Sequence, residues 1–129
     1  RQLNIRKKGP TALITTLPGE SYSLGILMCA LITSVTNFKV VYLGMDNPVE
    51  DTISAAQNHK PEIITLSISH VFDPTTAGNL LSKIRKEINP KTSIVTGGIG
   101  SPNNISGISH ISSFNNYLDF LCNFSQQEK

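Results

Sequence analysis

Four short runs of aliphatic and β-branched residues recur along the chain, each closed by turn-forming residues. They are TALITTL (Thr11 to Leu17), FKVVYLG (Phe38 to Gly44), EIITLSI (Glu62 to Ile68) and TSIVTGG (Thr92 to Gly98). Runs this continuously apolar are what parallel strands covered on both faces require. Between them lie ESYSLGILMCALITSV, PVEDTISAAQNHK and PTTAGNLLSKIRKEIN, each of helical length and bounded by Pro, Gly, Asn or Asp.

The first helical stretch is apolar nearly all round, through Leu24, Leu27, Met28, Leu31, Ile32 and Val35, which predicts a helix buried between a sheet and something else. The second is amphipathic through Val49, Ile53 and Ala56, with Pro48 suited to its first turn, and the third through Leu80, Leu81, Ile84 and Ile88. Beyond Gly98, ISHIS predicts a short fifth strand and SFNNYLDFLCNF a closing helix, capped by Ser112 or Ser113. Strands alternating with helices through right-handed crossovers predict an α/β, doubly wound parallel sheet of the flavodoxin type, strand order 2-1-3-4-5. In such a sheet ligands bind beyond the carboxyl ends of the strands, where the strand order reverses.

At 129 residues the chain holds one domain, which we place at residues 9–129 behind a basic lead, residues 1–8. Arg1, Arg6, Lys7 and Lys8 supply four of the eleven basic residues, leaving seven against nine acids from Gly9 onward. The body thus carries −2, which argues against a nucleic-acid surface, and the lead reads as a solvated linker. The longest apolar stretch, Leu24 to Ile32, is half of what a bilayer span needs, and no secretory signal precedes it. A cytoplasmic protein is expected, with Cys29 and Cys122 as buried free thiols. A chain that opens on Arg rather than Met suggests an upstream DNA-binding or effector region.

The turns exclude several users of this architecture. The first run ends Thr16-Leu17-Pro18 and the third Ser67-Ile68-Ser69, and TGGIG holds no Lys, so the acids and lysine of a phosphoacceptor domain are missing. GGIGSP follows the fourth run rather than the first and lacks the third glycine of a dinucleotide loop. TTLPGESYS is only loosely a flavin-phosphate loop, and no GxSxG or spaced Ser, His and acid set supports hydrolysis. No catalytic residue is assigned.

PGESYSLG after the first run, VVYLGMDNPVE across the second, LSIS ending the third and VTGG ending the fourth together resemble the cobalamin (vitamin B12)-binding domain. The likeness runs from Thr11 to Gly98, with Leu43-Gly44, Pro48 and Glu50 its most distinctive part, and is nearest to the MerR-like and light-sensing bacterial regulators. In that family the first loop reads Asp/Glu-x-His-x-x-Gly, the His being the lower axial ligand of cobalt. The carboxylate corresponds to Glu20, the glycine to Gly25 and the ligand to Tyr22.

A phenol with a pKa of about 10 offers cobalt a protonated oxygen where imidazole offers a lone pair. The resemblance therefore implies cobalamin with its own base kept on the metal, another ligand such as His70, or no cofactor. Haem stays open too, because tyrosinate ligates ferric haem. Ser67 matches the family's Ser-x-Leu motif, Ser69 departs from it, and Gly97 and Gly98 match a glycine pair along which the nucleotide tail lies. Each also has a plain reading: Glu20 favouring a helix N-terminus, Tyr22 packing on the sheet, His70 solvated, and Gly25, Gly97 and Gly98 serving close approach or a turn. The resemblance implies a sensor domain of a transcriptional regulator. The alternatives are the corrinoid-carrying domain of a mutase or methyltransferase, or a degenerate protein-interaction module, as a monomer or a homo-oligomer.

Overall fold

In the computed structural model the residues described are 9–19, 24–69 and 73–127. Five strands, β1 (Thr11–Thr16), β2 (Lys39–Gly44), β3 (Ile63–Ser67), β4 (Ser93–Gly97) and β5 (Ile108–His110), form one sheet in the order β2-β1-β3-β4-β5. Every pairing is parallel. The four apolar runs and ISHIS thus take the places expected of them.

Parallel strands need crossovers: α1 (Leu24–Ser34), α2 (Val49–His59) and α3 (Pro74–Glu87) supply the first three, an irregular segment joins β4 to β5, and α4 (Phe114–Gln127) follows β5. Alternation along the strands sorts the core into two layers. Leu13, Val41, Ile64, Leu66 and Ile94 pack with Val49 and Ile53 of α2 and Leu81 and Ile84 of α3. Ala12, Ile14, Ile63 and Val95 face the other way, against Ile26 and Cys29 of α1 and Tyr117 and Leu121 of α4. The closing turns of the chain join this second layer through Phe124, whose ring centre lies 5.7 Å from that of Phe38.

The helix starts follow local chemistry. Asp73 caps α3 by accepting from Thr76 N at 3.0 Å, ahead of Pro74 at the first helical position. Those bonds hold the Asp73 carboxyl below its ordinary pKa. Of the two serines expected before α4, Ser113 caps it, its Oγ accepting from Asn116 N at 3.1 Å.

Two expectations are corrected. Helix α1 buries only Ile26, Cys29, Ala30 and Thr33; Leu24, Leu31 and Val35 are 60%, 62% and 79% exposed, so its outer face is apolar but uncovered among the described residues. Cys29 is buried as expected, but Cys122 is exposed, because it lies on the side of α4 turned away from the Tyr117–Leu121 face that packs on the sheet.

Candidate functional site at the carboxyl end of the sheet

The strand order reverses between β1 and β3, and the loops leaving the carboxyl ends of β1 and β2 are tied together there. Gly19, at φ 91°, donates its N–H to Asp46 Oδ1 at 2.7 Å, while Asp46 N donates to Thr16 Oγ1 at 3.1 Å. The Asn47 amide then donates to Thr15 Oγ1, Leu43 O and Gly44 O at 3.2, 3.2 and 2.9 Å. These contacts account for the LGMDNP stretch: Gly44 turns the chain at φ 90°, Asp46 and Asn47 reach back to β1, and Pro48 precedes α2. Glu50 stands in the first turn of α2. Sequence reasoning singled out Leu43-Gly44, Pro48 and Glu50 but missed the bridging roles of Asp46 and Asn47.

Glu20, Tyr22 and His70, the carboxylate and the two candidate ligands, lie outside the described residues. Gly25 falls in the first turn of α1 and is half-buried. Ser67 ends β3 opposite Gly97 of β4 and is buried, and Ser69 follows two residues on. Gly98 has φ 107°, and a side chain there would run into the carbonyl of Ile68. The protein's own backbone therefore already demands glycine at this turn. A side chain at Gly97 would press on Ile111 O at 3.2 Å.

Gly97 and Gly98 nonetheless border a cavity of about 400 Å³ between the carboxyl ends of β4 and β5 and helices α1 and α4. Its lining is mainly apolar, with Val95, Ile99, Ile111 and Phe114 beside Cys29 and Tyr117. A volume of this order with a few convergent polar groups is typical of small-molecule sites. Burial pushes the Cys29 thiol up to about 11 and the Tyr117 phenol up to about 12, so both are neutral at physiological pH.

The polar groups are ordered into two chains. Thr33 Oγ1 donates to Cys29 O at 2.7 Å, so the Tyr117 hydroxyl, 2.8 Å away, donates to Thr33 and accepts from Thr65 Oγ1 at 2.9 Å. Across the cavity, Ser101 Oγ donates to Thr96 Oγ1 at 2.7 Å and meets His110 Nδ1 at 3.2 Å. Tyr117 and His110 were missed in the sequence because they come from the last strand and helix, where no motif marks them. Among the described residues no three His, Cys, Asp or Glu come together to hold a metal, and no helix is long and apolar enough to cross a membrane.

Residues 10–104 match the family described as B12 binding domain. Trimethylamine corrinoid protein 1 of Methanosarcina acetivorans is 37% identical over 57 residues, 44% of this chain and 26% of that protein. Its namesake in Methanosarcina mazei matches to the same extent. In structure the chain is similar to the methanol:cobalamin methyltransferase complex MtaBC of Methanosarcina barkeri, with a TM-score of 0.78 at 17% identity, covering 92% of this chain and 48% of that one. The monomethylamine corrinoid protein of M. barkeri gives a TM-score of 0.70 at 17% identity, over 88% and 57% of the two chains. The chain thus spans about a quarter of the length of the curated relatives it matches.

Proposed function

The chain belongs to the B12-binding domain family, and on that premise we propose that it is a corrinoid-carrying domain which presents cobalamin to a methyltransferase partner. The observation that carries this reading is the cavity beside Gly97 and Gly98, joined to relatives that are themselves corrinoid proteins. The residues fit the cofactor's tail: a mainly apolar slot suits a flat heteroaromatic base, and Thr96 and His110 on its wall suit its polar linkage. Ser67, Ser69, Gly97 and Gly98 are the proposed contacts of that tail, with Glu20, Tyr22 and Gly25 on the side of the metal.

When bound, cobalamin supplies a cobalt centre able to accept and release a methyl group. The chain's own part is to hold and orient it, and the domain alone turns over no substrate. Tyr22 distinguishes this chain from family members with an axial His. A neutral phenol would be a poor ligand for cobalt, so the metal side of the site is where this chain departs from them. These relatives favour a carrier over the sensor of a transcriptional regulator that the resemblance implied.

Titration with hydroxocobalamin, followed by absorbance and by co-elution in gel filtration, tests the proposal. A stoichiometric complex is expected; no complex at cofactor concentrations up to about 1 mM, the weak end of specific recognition, overturns it.

A further inference from the structure

Helix α1 presents two apolar faces. Ile26, Cys29, Ala30 and Thr33 are buried on the side of the sheet. On the opposite side Leu24, Leu27, Leu31 and Val35 are exposed, and Met28 and Ile32 are half-buried. Val35 follows the last residue of the helix and is kept on its final turn by its N–H, which donates to the Ile32 carbonyl at 3.3 Å. No charged residue lies on α1 and only Asp119 on α4, its neighbour in the same layer. By contrast α2 and α3, of the same two lengths, carry Glu50, Asp51, Lys83, Arg85, Lys86 and Glu87. The α2/α3 side of the sheet is made for water; the α1 side is not. Contiguous apolar surface of this kind marks a contact site.

The spacing of the face selects what covers it. Leu24, Met28, Leu31 and Val35 recur at intervals of 4, 3 and 4, the seam of paired helices, and that spacing reads the same in both directions. Turned end for end about a point between Cys29 and Ala30, the helix sets Leu24 on Val35, Met28 on Leu31, Leu27 on Ile32 and Gly25 on Ser34. Every outward apolar side chain then meets an apolar counterpart, and the small residues fall together. An isologous twofold contact requires this self-complementarity. A partner helix of ordinary composition brings charges, and burying one of them unpaired is costly. A second copy of α1 brings none.

We propose that this face docks a second copy of the chain, through antiparallel α1 helices around a twofold axis. Eleven residues make α1 about 16 Å long, so the seam alone buries less than the roughly 1,200 Å² of a stable interface. Phe114 and Leu118, exposed on α4, extend the apolar surface. A reversible dimer with a Kd of about 10 μM is expected. Because the paired helices run oppositely, so do the two sheets, and their carboxyl ends open at opposite ends of the dimer. Each remains free, so the contact is independent of what the cavity binds.

Sedimentation velocity of the whole 129-residue chain, from about 1 μM to about 500 μM, tests this. Wild type is expected to pass from the mass of one chain towards that of two. Leu31→Glu sets two carboxylates near the axis and should weaken the dimer about thirtyfold or more. Gln57→Glu, the same change of charge on an exposed residue of α2, should match wild type. Leu24→Lys and Val35→Glu should each weaken the dimer about tenfold, and their equimolar mixture should recover it, because the two positions meet across the antiparallel pair. A wild type that stays monomeric at about 500 μM overturns the proposal and assigns the face to another polypeptide segment or protein. A dimer that Leu31→Glu leaves intact, equal weakening by Gln57→Glu, or a mixture that recovers nothing overturns it too. Should Leu31→Glu not fold, the urea midpoint of wild type decides: it rises with protein concentration for a dimer, and a constant midpoint overturns the proposal.

Discussion

The hydroxyls of Tyr117 on α4 and Thr65 on β3 meet at 2.9 Å across 52 residues of sequence. With Thr33 they form a directed chain, Thr65 to Tyr117 to Thr33 to the carbonyl of Cys29, which joins the sheet to both helices of one layer. All three threonine and tyrosine side chains are buried. Tyr117→Phe removes the middle link and leaves the Thr65 hydroxyl without its acceptor. The expected loss is about 1–3 kcal/mol, read from the midpoint of urea unfolding at unchanged slope.

Alkali should weaken the fold through the same layer. Tyr117 rises from 10.0 to about 12 and Cys29 from 9.0 to about 11, both chiefly through burial. A raised folded-state value means that the native protein holds its proton longer than the unfolded chain. The stabilisation is therefore whole below pH 9 and is lost as pH climbs from 9 through 12. Unfolding midpoints at pH 8, 10 and 11 should fall in that order, and the fall should be shallower in Tyr117→Phe.

Thiol labelling separates the two cysteines. Cys122 is exposed and should react with a disulfide reagent at pH 8 in the native protein, whereas Cys29 is buried and holds its proton. One fast equivalent and a second released only on unfolding is the expected count. Two fast equivalents would contradict the packing of α1 on the sheet.

Two glycines should respond in opposite directions. Gly98→Ala forces a side chain towards the Ile68 carbonyl at φ 107° and should cost about 2–4 kcal/mol, with loss of the cavity wall. Gly78 lies inside α3, where an added Cβ would meet only Ile105 Cδ1 at an ordinary 3.5 Å. Gly78→Ala should therefore stabilise by about 0.5–1 kcal/mol. Thermal melts of both variants check the pair.

Tyr22→His restores the ligand type of the family's first loop. We expect this variant to bind hydroxocobalamin more tightly than wild type and to shift the visible spectrum to the protein-histidine form, with Glu20 orienting the new ring. Displacement of the benzimidazole by wild type itself would instead point to another ligand, His70 first.

The elements were legible because each run carried its own period and punctuation. Val49, Ile53 and Ala56 mark α2, and Pro74 behind Asp73 marks the start of α3. The glycine pair was legible too, though the reason for Gly98 was not: it gives way to the carbonyl of Ile68, thirty residues earlier. What failed was the reading of α1 as buried all round. Hydrophobicity tells which residues prefer to leave water, but not whether enough neighbouring surface exists to cover them, and Leu24, Leu31 and Val35 find none among the described residues.

The sequence by itself determined the parallel sheet, its strand order and the family, because apolar periodicity, turn residues and loop motifs act over a few residues and can be read in order along the chain. Only the tertiary structure decided the cavity and its polar groups. Tyr117 meets Thr33 and Thr65, and His110 is turned by Ser101 and Thr96, through contacts made by packing separate elements against one sheet. A hydrogen bond between distant residues has no local signature; it exists once burial has removed water as the competing partner, and burial is a property of the whole fold.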